Sequence, residues 1–129
     1  MGRVTDLLPY RASPAYSAYT TVEDLWRFAL ALTGHQLLDA RHTALVTTGR
    51  GTIGWEARRF GYGFFEEVIG GIRVFGHDGA SPGMSGDFLI WPDTGHISAV
   101  LANMDPPTAN EVSKFIYARL PLIPVGRSS

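Results

Sequence analysis

The sequence predicts an α+β fold, an antiparallel sheet of about four strands flanked by helices. Three observations carry the prediction. Apolar residues recur at helical spacing in the first part of the chain and again near its end, whereas the segment between reads as short strands broken by glycines. Glycine (15) and proline (8) together make 23 of the 129 residues, a turn-rich composition. The connections between strand candidates are short, and short connections favour antiparallel neighbours, with a meander as the simplest topology. Helices, then strands, then a helix predict helices packed on one face of the sheet.

Taken in order, residues 1–19 read as an irregular lead-in, punctuated by Pro9, Ser13, Pro14 and Ser17. The helical region spans residues 20–47. It opens on Thr20-Thr21-Val22-Glu23, a capping box in which a threonine hydroxyl and the Glu23 carboxylate would satisfy the opening N–H groups. Val22, Leu25, Phe28, Ala29 and Leu32 follow at helical spacing, and Gly34 supplies a stop. Asp39 is the expected N-cap of a shorter helix through Ala44, Leu45 and Val46, and residues 47–52 read as a loop. The strand region spans 60–103, with candidates at 62–68, 72–75, 87–91 and 97–102. Gly70-Gly71 is a two-residue hairpin signal, residues 76–83 read as a glycine-rich loop, and Pro92-Asp93-Thr94-Gly95 is turn chemistry. A last helix over 108–120 opens on Thr108 with Glu111 as a second capping box, buries Val112, Phe115, Ile116 and Leu120, and ends at Pro121.

Composition narrows the functional classes. Eleven basic and twelve acidic residues give a net charge of −1, which does not make the cationic footprint of a nucleic-acid binder. The absence of cysteine excludes a disulfide scaffold, thiolate catalysis and cysteine-ligated metal. The longest strongly apolar run, from Phe28 to Leu32, is far short of a membrane span, and residues 1–9 lack a basic start followed by an apolar run.

Two motifs invite chemistry and fail on context. Gly79-Ala80-Ser81-Pro82-Gly83 is a literal G-x-S-x-G, but a nucleophile elbow needs a strand, a sharp turn and a helix, with an N–H following the serine. Pro82 has none, and a strand follows, so the reading is a glycine-rich turn. His35 and His42 stand seven apart, without metal-ligand spacing, and with His96 they read as solvent-facing residues; no metal or cofactor is implied. His77 differs, because it lies in a run from a strand into glycines that admit a ligand close to the backbone. There it can serve a carboxylate or oxyanion, or simply stabilise a turn; residue chemistry leaves both readings open.

The ordered set Thr20-Thr21-Val22-Glu23-Asp24-Leu25-Trp26-Arg27-Phe28, Leu37-Leu38, Tyr62-Gly63-Phe64, Gly76-His77-Asp78-Gly79, Pro82-Gly83 and Leu101-Ala102-Asn103 resembles the C-terminal part of the serine beta-lactamase-like family. That family includes class C beta-lactamases, penicillin-binding D-alanyl-D-alanine carboxypeptidases and related esterases, many of them exported. The resemblance spans about residues 16–120. It implies that residues 1–129 form a single partial domain of a longer fold. It also implies that His77, Asp78 and Gly79 occupy the family's third motif, with His77 in the place of a lysine and the N–H of Ala80 as an oxyanion-hole donor.

The sequence departs from the family where the nucleophile belongs. Lys114 is the one lysine, and Glu111 stands three residues before it, so the sequence contains no Ser-x-x-Lys. No tyrosine or serine is followed two residues later by asparagine, so the second motif is missing as well. The resemblance therefore implies a piece of a serine hydrolase acting on small acyl substrates, inactive alone. Its sheet edge would be completed by an N-terminal segment in trans or by a second copy. The other readings are a non-catalytic binding or oligomerisation module on the same fold, and a small hydrolase using Ser81 or Ser85. Trp55 and Phe64 are candidates for a pocket wall or for the core.

Overall fold

The structure, a computed structural model, describes residues 18–52 and 58–121. Most of the expected lead-in, and Trp55, lie outside the described residues. Helices α1 (Val22–Thr33), α2 (Ala40–Thr47) and α3 (Thr108–Tyr117) accompany six strands: β1 (Gly51–Thr52), β2 (Arg59–Phe60), β3 (Phe65–Ile69), β4 (Ile72–Ser81), β5 (Met84–Trp91) and β6 (His96–Ala102). The strands form one antiparallel sheet in sequence order, the expected meander with two more strands than the four predicted. The added pair, β1 and β2, are two residues each and too short to produce alternation in sequence. No helix among the described residues is long and apolar enough to cross a membrane.

Local chemistry explains the turns. Gly70 and Gly71 both have positive φ (61° and 81°), as a type I′ hairpin turn requires. Gly95 (φ 73°) closes the turn after β5, its N–H bonding the Trp91 carbonyl at 2.9 Å. The glycine-rich stretch expected as a loop is instead mostly strand, because residues 75–81 pair continuously with residues 84–90 and leave only Pro82-Gly83 as the turn. Cross-strand pairing outweighs the weak strand propensity of glycine here.

Both capping boxes are corrected. At α1 the cap is Thr21, whose Oγ1 accepts the Asp24 N–H at 3.1 Å, while Glu23 pairs with Arg27 one turn on. At α3 no side chain caps the first turn at the N-cap, Pro107. Thr108 Oγ1 donates to the Asp105 carbonyl, and the start of the helix is tied down by Ser85 Oγ, which accepts the Ala109 N–H at 3.1 Å. The Asp39 cap of α2 forms as expected, accepting the His42 N–H at 2.8 Å.

The helices lie on both faces of the sheet, not on one. Ala29 and Leu32 of α1 pack with Phe75, Phe88 and Ile90 on one side. On the other, Phe65, Val74, Leu89 and Trp91 form a second cluster, against which Tyr117 of α3 packs. The expected burial of Val112, Phe115 and Ile116 is overturned. Ala109 and Ser113 are the buried residues of α3, and the larger apolar side chains are exposed, Phe115 at 61%. Small residues at i and i+4 bring the helix close to the sheet, and the bulky stripe then points outward.

On the α1 face Glu66 joins three segments. Its carboxylate accepts the Gly49 N–H at 2.8 Å and Arg73 Nε at 2.5 Å, and Arg73 Nη2 donates to the Thr47 carbonyl at the end of α2. Burial pushes the Glu66 carboxyl up, but the Arg73 and Gly49 bonds, with the charges of Arg73 and Arg59, outweigh it and hold the pKa below its ordinary value. An acid with a depressed folded pKa contributes stability above its unfolded pKa and loses it as pH falls through the folded one. Glu66→Gln should therefore cost about 2 kcal/mol at neutral pH, as for hydrogen bonds to a charged group. In urea melts that deficit should shrink as pH drops below the ordinary glutamate value of 4.5.

Candidate functional site

The site is made by the unequal lengths of β3 and β4. β3 begins at Phe65, opposite Gly76, so β4 has a β3 partner only over residues 72–76. Residues 77–81 pair with β5. Two-residue hairpins place a mutually bonded pair on either side of the turn, here Ile69 with Ile72 and Ser81 with Met84. Antiparallel alternation then turns the main-chain groups of Ile72, Val74 and Gly76 toward β3, and those of Arg73, Phe75, His77, Gly79 and Ser81 toward β5. The same parity directs the N–H and C=O of Asp78 and Ala80 out of the edge where β3 has ended.

Side chains along this edge alternate between faces. His77 is exposed, its ring centroid 6.4 Å from that of Phe65, and its Nδ1 lies 2.5 Å from the Asp78 carbonyl oxygen. A carbonyl only accepts, so Nδ1 carries the hydrogen and Nε2 is the ring atom left to face a ligand. A Cβ placed on Gly79 would meet nothing within 4 Å, so the backbone there is open to close approach. The Asp78 side chain lies on the α3 face, where its Oδ2 accepts from Arg58 Nη1 at 2.7 Å. The His77 ring is thus tied to the edge through the Asp78 carbonyl, and Phe65 stands beside both the His77 ring and the Arg58 guanidinium that holds Asp78.

Ser81 and Ser85, the two serines weighed as nucleophiles, do not join this arrangement. Ser85 is 6% exposed, with its Oγ donating to the Met104 carbonyl and accepting from Ala109. Ser81 ends β4 at the hairpin, so Gly79-Ala80-Ser81 belongs to the strand, only Pro82-Gly83 turns, and strand β5 follows where a nucleophile elbow would need a helix. Phe64 stacks edge-on against Phe75 on the α1 face. His35 and His42 are exposed on the helical side, while His96, expected to be exposed, is half-buried against Thr94.

Behind the edge, on the α3 face, lies a cavity of about 510 Å³ lined by Arg58, Glu67, Asp78, Asp87, Asn110 and Lys114 among others. Burial pushes the Asp87 carboxyl up, and the charge of Asp78 directly opposite adds to the effect. Arg58 and the bond from Asn110 Nδ2 oppose it. Ser113 Oγ also lies beside Asp87 and favours its ionised form, although it is not in good hydrogen-bonding geometry.

The family profile described as Beta-lactamase matches residues 2–122. The chain belongs to the Beta-lactamase family. It is 32% identical over 111 residues to penicillin-binding protein 4 of Amycolatopsis lactamdurans, covering 78% of this chain and 29% of that protein. The penicillin-binding protein of Bacillus halodurans superposes with a TM-score of 0.71 at 26% identity, over 78% of this chain and 31% of its own. A D-stereospecific amidohydrolase from Streptomyces sp. gives 0.63 at 28% identity, over 77% and 29%. The octameric penicillin-binding protein homologue of Pyrococcus abyssi, at 20% identity and a TM-score of 0.65 over 77% and 24%, shares the fold. The chain therefore spans under a third of the length of these relatives.

In this Beta-lactamase-family chain, sequence reasoning missed Arg58, Glu67 and Asp87. The available signal was the charge pairing of Arg58-Arg59 with Glu66-Glu67 across the next turn, one pair of charges for each face of the sheet.

Proposed function

We propose that the chain supplies the sheet-edge half of a serine acyl-hydrolase site acting on amide, lactam or ester bonds, with the nucleophile coming from polypeptide outside this sequence. The observation that carries the reading is the open edge of β4. There the N–H of Ala80 points outward beside the His77 ring, in a sequence without Ser-x-x-Lys. In this reading the Ala80 N–H is one oxyanion donor, and Gly79 leaves room for the acyl group. Nε2 of His77 receives the substrate carboxylate when protonated, or takes part in proton transfer when neutral. Asp78 keeps the strand in place from the α3 face through Arg58. The names of two relatives, a penicillin-binding protein and an amidohydrolase, support the reading, because penicillin capture and amide hydrolysis both proceed by attack at an acyl carbon.

The test is a chimera in which this chain replaces the matching part of the Bacillus halodurans protein. The expected result is covalent labelling by a fluorescent penicillin, lost on His77→Ala. A chimera that melts cooperatively and is not labelled would overturn the proposal.

A second reading, a module that binds or oligomerises without catalysis, is favoured by a separate observation. The outer edge of β6 has no strand partner among the described residues, and Val112, Phe115 and Ile116 are exposed beside it. Such surfaces favour association, and a second copy of this chain is the simplest cover. Sedimentation giving a stable monomer at micromolar concentration would count against it.

A further inference from the structure

β4 leaves β3 at Gly76, and the stretch that carries His77, Asp78, Gly79 and Ala80 runs on with β5 alone. A strand held on one side twists and frays more readily than one held on both. Arg58 crosses this gap. Its guanidinium sits over the ring of fully buried Phe65, 4.1 Å from the centroid, at the point where β3 begins. From there Nη1 donates to Asp78 Oδ2 at 2.7 Å, and Nε stands 3.5 Å from Glu67 Oε2. One planar group thus bridges β3 and the part of β4 that β3 does not reach, with its side chain 22% exposed. A second feature calls for a cation there. Asp78 and Asp87 are direct cross-strand partners on one face, and like charges so placed repel.

We propose that Arg58 is a positioning residue that sets the open edge of β4. By clamping Asp78 from the α3 face, it holds the Asp78 carbonyl under the His77 ring and the Ala80 N–H in its outward direction. The inference rests on the acyl-site reading only for its consequence; the clamp itself is a statement about geometry. A lysine at position 58 keeps the charge on Asp78 but loses the fork to Glu67 and the flat stacking on Phe65.

The test is NMR on the full chain, comparing Arg58→Gln, Arg58→Lys and Asp78→Asn with the unaltered protein. Amide exchange at His77 and Gly79, both bonded to β5, should quicken about tenfold in Arg58→Gln, while Phe75 and Ile90 stay within about twofold. The ¹⁵N spectrum of His77 should change from the single Nδ1–H tautomer to a mixture, and Arg58→Lys, which keeps the charge without the fork or the stacking, should restore both only in part. Asp78→Asn, which keeps the fold's shape and removes the ion pair, should reproduce the edge effect more weakly. Uniform quickening along β4 and β5, or an unchanged His77 tautomer, would overturn the proposal by reducing Arg58 to a general stabilising contact. Because no acyl donor is present, the result is separate from the fate of the chimera. A selective edge effect with an unlabelled chimera would keep the clamp and remove its catalytic meaning.

Discussion

Ala80→Pro, placed in the penicillin-labelled chimera, should slow acylation about 100-fold, the loss typical of removing one oxyanion-hole donor. The substitution deletes one N–H and little else. Residue 80 has a strand partner on the β5 side only, and by the alternation of the ladder its N–H points away from β5. Proline is tolerated at such an edge position because no ladder bond is lost. The folded state should therefore be nearly unchanged in a thermal melt, while the rate collapses. Ala80→Gly, which keeps the N–H, should label at close to the original rate. An equal loss in both variants would mean that the backbone donor has no part in the chemistry.

The largest expected effect on stability is at Gly76, where β4 parts from β3. A Cβ there would sit 1.9 Å from the Phe88 carbonyl oxygen and 3.1 Å from Leu89 Cα, both backbone atoms of β5. Neither can swing aside as a side chain could, so the two strands would have to separate along the middle of the sheet. Gly76→Ala should cost roughly 3 kcal/mol or more, in the range of severe overpacking, and Gly76→Val should not yield soluble protein. Gly79, three residues on and facing open space, supplies the comparison. Gly79→Ala should lie within about 0.5 kcal/mol of the unaltered chain in urea denaturation. Comparable losses at both positions would contradict the close strand approach.

Much of this architecture was legible in the sequence because it depends on local signals. The periodicity of Leu25, Ala29 and Leu32, the Asp39 cap and the Gly70-Gly71 turn are read over a few residues, and each is present in the structure. What was not legible depends on partners distant in the chain. Gly76, Gly79 and Gly83 together read as a loop, yet pairing with β5 makes most of that stretch a strand. The apolar stripe of α3 read as buried, yet Ala109 and Ser113 face the sheet and Phe115 faces outward. That inversion is expected if a surface awaits a partner, since an exposed stripe and a buried one are written with the same residues. At the candidate site, His77 and Ala80 were legible through the motif, whereas the clamp from Arg58 was not. A bond spanning 20 residues leaves no periodic trace.

In the proposed reading this chain carries an acyl-binding edge and no nucleophile. That reading is tested most directly by intact mass measurement of the purified chain after exposure to a fluorescent penicillin and, separately, to a fluorophosphonate. An unchanged mass is expected with both probes, because Ser85 is buried and committed to the start of α3, and Ser81 stands before a proline, with no base bonded to it among the described residues. A stoichiometric adduct on either serine would contradict it.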